Sequence, residues 1–185
     1  MSKSFRNGLF FLIPVIVILD QWSKWLILNE PKFNAIGCLD NRSLCGRMDV
    51  LPFFDLNMVW NRGISFGIGQ SEGVMRWLLV ILTTAIAIGF TLWLIRAGRH
   101  LTGLALALVI GGAFGNVIDR VRFGAVVDFL DFSGIFRPYF FNYVFNVADA
   151  AISVGAVLLF IDQFLMSQKD NTAGAVTADE ARTPE

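Results

Sequence analysis

Four long apolar runs, separated by polar stretches of very unequal length, set the pattern of this chain. They are Leu9–Leu28, Val74–Ile95, Leu101–Ile118 and Val147–Met166, each of 18 to 22 residues. At ~1.5 Å rise per residue, a helix of that length crosses a ~30 Å hydrocarbon layer. The pattern predicts an all-α membrane protein with four transmembrane helices. Between the first two runs, Phe53–Trp60 partly alternates apolar and polar residues, and Gly63, Gly67 and Gly69 follow. A short strand, a turn and a Gly-rich re-entry into the membrane are expected there. Between the last two runs, Phe123–Phe132 reads as a strand or an extended surface segment. The aromatic-dense IFRPYFFNYVF that leads into the fourth run suits an interfacial anchor.

Composition agrees with a membrane solvent. The chain is 55% hydrophobic and 16% charged, where a soluble domain carries about a quarter charged residues. The formal net charge is zero, so nothing suggests nucleic acid as a partner. The opening MSKSFRNG and LFFLIPVIVIL resemble a signal peptide, but the segment continues as DQWSKWLILNEP without a small-residue cleavage site. It is expected to be retained as the first helix. Four crossings put both termini on one side, together with Lys3, Arg6, Arg96, Arg99, Lys169 and Arg182. The density of these cations and the shortness of the loops on that side favour cytoplasmic termini. The expected organisation is one membrane domain, 1–168, with extracytoplasmic segments 29–73 and 119–146. A polar tail, 169–185, is expected to be cytoplasmic and disordered.

The chemistry concentrates between Gly111 and Ser153. Asp119, Asp128, Asp131, Asp149, Asn116, Asn146 and Arg120 lie here, flanked by apolar helices. Ionisable groups at a membrane boundary cost several kcal/mol unless paired or hydrated, so the cluster is a candidate site. The small residues of the third run, including Gly111, Gly112 and Gly115, allow close helix approach and would press this end into the bundle. Asp128 and Asp149 stand out, because neither has a basic residue within four positions and each sits in apolar sequence, VVDFL and FNVADAAIS. Two such carboxylates brought together share one proton, the aspartic-protease arrangement. One then takes a proton from water while the other donates to the scissile carbonyl.

The remaining polar residues keep two readings each. Asp119 is either catalytic or held by Arg120 and helix-terminal contacts, and Asp131 is expected to be more solvated than Asp128. Asp20 and Lys24, four apart on one helix face, either neutralise each other at the interface or brace the third helix or substrate. Asn61 either reaches a neighbouring active site or serves a turn. Cys38 and Cys45 lie in the first outer segment, where an oxidising compartment permits a disulfide, with two free thiols as the alternative. Zinc needs more soft ligands than these two, and the sole histidine, His100, is on the opposite face, so no metal site is expected.

Four patches then carry a family likeness: DQWSK (Asp20–Lys24), NRGISFG (Asn61–Gly67), GGAFGNVIDR with VVDF (Gly111–Arg120, Val126–Phe129), and FNVADAAIS (Phe145–Ser153). In this order they resemble lipoprotein signal peptidase, or signal peptidase II, of the bacterial inner membrane. One departure is Ser65, where the family more often has Ala before the Phe. The resemblance implies a membrane aspartic endopeptidase that cuts prolipoproteins just before a diacylglyceryl-modified cysteine, with Asp128 and Asp149 as the catalytic pair. It assigns Asp20, Lys24, Asn61, Asn116, Asp119, Arg120 and Asn146 to supporting positions. It also implies a small extracytoplasmic β-sheet cap, a half-cradle, over the helices. No metal or organic cofactor is implied. The expected partners are lipidated prolipoproteins, membrane lipid and globomycin-type inhibitors, and the protein is expected to be a monomer.

Two other functions are compatible with membrane carboxylates. A metal-dependent lipid phosphotransferase would use Gly124, Asp128 and Asp131 as a Mg²⁺ box, one residue short of the usual spacing. A proton-coupled transporter would use the same carboxylates as a relay, although four spans without an internal repeat suit alternating access poorly.

Overall fold

A computed structural model describes residues 2–35, 44–63, 72–132 and 143–180. The chain runs α1 (Lys3–Leu28), α2 (Pro31–Ala35), β1 (Leu44–Leu51), β2 (Phe54–Asn61), α3 (Glu72–Arg96), α4 (His100–Phe123), β3 (Val126–Asp131), β4 (Val144–Phe145) and α5 (Val147–Glu180). Among the described residues, four helices are long and apolar enough to span a bilayer, over Phe5–Leu28, Gly73–Arg96, His100–Phe123 and Val147–Gln168. Their polarity is inverted relative to a water-soluble bundle. Phe11 and Phe160 are each 73% exposed, whereas Lys24 and Asp119 are 2% and 0% exposed. Apolar side chains meet lipid and ionisable ones turn inward, as a hydrocarbon solvent requires.

α4 occupies the centre, packed against α1, α3 and α5. Its glycines make this geometry accessible. A Cβ at Gly112 would collide with the carbonyl oxygen of Ala148 on α5 and stand 2.8 Å from Ile152 Cγ1. One at Gly115 would stand 2.5 Å from Asp20 Oδ2 on α1. Removing side chains at these positions lets three backbones converge where the polar residues lie.

Among the described residues, four strands form one antiparallel sheet in the order β1-β2-β3-β4. Met58, Trp60, Val127 and Phe129 of the sheet pack with Ile27 at the end of α1 and Phe33 of α2, which seats the cap on one end of the bundle. β2 and β3 are the expected strands. β1 and β4 were not anticipated: LCGRMDVL alternates only over Arg47–Val50, and β4 has only two residues.

The helix ends also differ from expectation. α4 continues past Ile118 because Arg120 and Arg122 favour the negative end of the helix dipole rather than interrupt it. It stops at Gly124, whose φ of +82° supplies the left-handed cap. α5 runs through Glu180, across much of the tail expected to be disordered, because extending an existing helix carries no nucleation cost. The Cys38–Cys45 pairing, the Gly-rich re-entry over 64–71 and the aromatic stretch 133–142 lie outside the described residues.

Gly112→Val is expected to lower stability by about 1–3 kcal/mol through overpacking against α5. Gly89→Ala, where an added Cβ meets nothing within 4 Å, should stay within about 1 kcal/mol of the parent. Thermal unfolding of both variants in detergent checks the contrast, and equal stabilities would contradict the packing account.

Candidate active site

The site begins with an ammonium buried between two carboxylates. Lys24 and Asp20 sit one helical turn apart on α1, and Lys24 Nζ lies 2.8 Å from both Asp20 Oδ2 and Asp119 Oδ2. The remaining acceptor capacity of each acid is used. Asp20 Oδ1 accepts from Ala148 N of α5 at 2.9 Å, and Asp119 Oδ2 from Val127 N of β3 at 3.1 Å. Gln21 Nε2 donates to Asp119 Oδ1 at 2.8 Å and to Asp20 Oδ2 at 3.2 Å. Buried charges persist only when paired and hydrogen-bonded in this way. Lys24 thus neutralises Asp20 on its own helix and also ties α1 to α4 through Asp119. Asp119 is held by Lys24 and Gln21, where the sequence pointed to its neighbour Arg120.

β3 then presents Asp128. Val59 pairs with Asp128 and Asn61 with Val126, so Asn61 lies diagonally beside Asp128 on the same sheet face. Asn61 Nδ2 donates to Asp128 Oδ2 at 2.9 Å, while Asn61 Oδ1 accepts from Gly63 N at 2.8 Å. Asn61 thus serves the site and the turn together. The register slips by one residue between Leu56 and Val59, a bulge that changes which β2 residues share a face with Asp128.

Asp131 is three residues further along β3 and points to the opposite face. It pairs across the ladder with Asp55 and accepts from Asn57 Nδ2 at 3.5 Å. At 4% exposure it is buried, contrary to the expected solvation. The same separation removes the basis of the Asp128–Asp131 metal box, since the two carboxylates do not share a face.

Asn146 joins the sheet to α5. Its Oδ1 caps that helix by accepting from Asp149 N at 2.9 Å. Its Nδ2 lies 2.7 Å from Asp128 Oδ1 and 3.2 Å from Asn116 Oδ1. Asn116 Nδ2 in turn donates to Asp149 Oδ1 at 2.8 Å. Asp128 and Asp149 are therefore linked through two side-chain amides contributed by the α5 cap and by α4. Arg120 lies within electrostatic reach of Asp149, Asp128 and Asp119, and its Nη1 donates to Asn116 O at 3.5 Å.

The two aspartates differ in setting. Asp128 is 2% exposed. Burial first, and then the charge of Asp149, push its carboxyl up to about 7, against the Asn61 and Asn146 hydrogen bonds, which favour the charged form. Asp149 is half-buried in the first turn of α5. Burial, with the charges of Asp149 and Asp128, raises the Tyr143 phenol above its ordinary value.

The comparisons with known proteins place the chain in a family. A family model described as signal peptidase (SPase) II matches residues 12–165. This chain belongs to the signal peptidase II family. A lipoprotein signal peptidase of Methylobacterium radiotolerans is 40% identical, the match covering 96% of each chain. One of Methylorubrum extorquens is 43% identical over 86% of each. Among solved structures, a bacterial membrane enzyme determined by the in meso method at 1.9 Å resolution superposes with a TM-score of 0.67 at 28% identity, covering 85% of this chain and 92% of the other. The protein is thus a multi-pass membrane peptidase of bacterial type.

Gln21 and Tyr143 were missed as site residues. Gln21 had a readable signal, an amide beside Asp20 inside an apolar helix. Tyr143 had none beyond its place in an aromatic-rich link. Backbone donors such as Val127 N and Ala148 N are invisible to any residue-type argument.

Lys24→Met should lower stability by about 3–5 kcal/mol, because it leaves Asp20 and Asp119 buried without their common cation. Denaturation of the purified variant in detergent measures this. A loss under about 1 kcal/mol would show that Lys24 is not what holds the two acids.

Proposed function

We propose that the protein is an aspartic endopeptidase that removes signal peptides from lipidated prolipoproteins, with Asp128 and Asp149 as its catalytic pair. The observation that carries this reading is the approach of two carboxylates from β3 and α5 through the Asn116–Asn146 amides. Family membership and the names of the relatives supply the substrate class. Neither supports the phosphotransferase or the transporter.

Asp128, with its carboxyl raised to about 7, holds the shared proton near neutral pH. Asp149 then takes a proton from water, and the resulting hydroxide adds to the scissile carbonyl carbon. Asp128 donates its proton to the carbonyl oxygen, forming a neutral tetrahedral intermediate. Collapse breaks the C–N bond as the proton held by Asp149 passes to the leaving amine and a hydroxyl proton of the intermediate returns to Asp128. The amide nitrogens of Asn61, Asn116 and Asn146 are directed at the aspartates. Their role is to orient the pair. Asp20, Lys24 and Asp119 position that framework, and Arg120 adds positive potential beside it.

In this reading the sheet and the aspartates face the extracytoplasmic side of the inner membrane. Arg6, Arg96, Arg99 and Lys169 mark the cytoplasmic end, together with both termini. The enzyme works as a monomer that admits its substrate from the lipid, and globomycin-type cyclic peptides are its expected inhibitors.

Asp128→Asn and Asp149→Asn should each fold yet lose at least ~10³-fold in cleavage rate, on the scale of acid–base catalysis. Asp131→Asn, on the other sheet face, should be mild. Cleavage of a diacylglyceryl-modified prolipoprotein by purified enzyme measures all three, and near-normal turnover in either of the first two excludes that residue.

The pH profile supplies a second check. Asp128 must keep its proton, so activity should fall as pH rises through about 7. Asn61→Leu removes a hydrogen bond that favours the charged form, so the alkaline limb should move upward by on the order of one pH unit. A limb that stays in place or moves down would contradict the assignment of that proton to Asp128.

A further inference from the structure

At the end of the bundle away from the aspartates, α3, α4 and α5 enclose a second polar feature. It is a cavity of about 610 Å³ whose lining includes Trp93, Arg96, Arg99, Asp162, Gln163 and Ser167. That volume is within the ~300–1,000 Å³ typical of small-molecule sites. Along α4, Thr102 at the cavity is 14 residues from Asn116, or about 21 Å of helix. The α3 span ends at Arg96, the α4 span begins at His100, and the α5 span ends at Gln168. The cavity therefore lies where three spans leave the hydrocarbon, at headgroup depth.

Its electrostatics are built rather than incidental. Asp162, 1% exposed, is neutralised in place: Arg99 Nη2 lies 2.8 Å from its Oδ1, and Thr102 Oγ1 donates to its Oδ2. Arg99 Nη1 also donates to Asp162 O at 3.2 Å. Arg96 then adds a positive charge to the lining, and Arg6 sits close by with Nη1 donating to Ile95 O at 3.1 Å. Next to these cations the surface turns apolar. Leu92 and Trp93 on α3, and Phe164 and Leu165 on α5, are all at least 40% exposed.

We propose that this cavity binds the phosphate headgroup of an anionic phospholipid, with its acyl chains lying against the exposed faces of α3 and α5. A phosphodiester attached to hydrocarbon satisfies both halves of the surface. Basic pockets between membrane helices select such headgroups, and Trp93 stands where an interfacial indole is favoured. Gln163 and Ser167 offer hydrogen-bond donors to headgroup oxygens. The site is separate from the aspartate pair and does not depend on the assignment of the catalytic residues.

The test uses the full-length protein in nanodiscs, with Trp93 fluorescence read as the difference between the parent and Trp93→Phe. Brominated phosphatidylglycerol should quench Trp93 at about fivefold lower mole fraction than brominated phosphatidylcholine, the scale of one headgroup–guanidinium interaction. Arg96→Gln should abolish that preference and leave prolipoprotein cleavage unchanged. Arg99 is left intact, because its removal would strand Asp162. Equal quenching by the two lipids, or a preference that survives Arg96→Gln, overturns the proposal. So does full competition by millimolar inorganic phosphate, which would make this a site for a soluble anion.

Discussion

One buried ammonium ties this molecule together. Lys24 reaches Asp20 on its own helix and Asp119 on α4, and those carboxylates then bind the backbone amides of Ala148 on α5 and Val127 on β3. Three helices and β3 meet at a single charge. In a low-dielectric interior each partner stabilises the others, and removing the ammonium would strand two carboxylates. The arrangement needs backbone proximity that side chains would prevent, which is why a glycine at position 115 faces Asp20.

The aspartate pair is built on that anchor. Val127, whose amide is held by Asp119, directly precedes Asp128. Ala148, whose amide is held by Asp20, directly precedes Asp149. The brace therefore acts on the backbone next to each candidate catalytic carboxylate and holds both to the same framework. Asn116 and Asn146 link the two side chains across that framework. Because one aspartate lies on a buried strand and the other in a helix's first turn, two identical groups meet different environments, and such differences separate acid from base roles.

The two ends of the bundle use the same physical device for different surroundings. Near the sheet, Lys24 neutralises carboxylates deep among helices. At the far end, Arg99 neutralises Asp162 beside a polar-lined cavity. Between them, α4 carries small residues that let its neighbours close around it. The lipid-facing helices are otherwise free of charge over most of their length, so the polar chemistry is confined to the two boundaries.

Much of this was legible in residue order. Uninterrupted apolar runs reveal spans because hydrocarbon tolerates little else, and the lack of nearby cations singled out Asp128 and Asp149 as the candidate pair. The alternating segments located β2 and β3. What residue order could not determine were properties that arise only between distant segments. Asp128 and Asp131 look equivalent in sequence, yet strand pairing turns them to opposite faces. Asp119 sits beside Arg120 but binds Lys24, because a helix end places sequence neighbours in different directions. Asn61, Asn116 and Asn146 look like generic polar residues until the β2 bulge, the α4 packing and the α5 cap aim their amides at the acids. Sequence by itself determined the solvent each segment requires, since that depends on local polarity. Only the tertiary structure decided which polar groups meet, since contact depends on register, packing distance and direction.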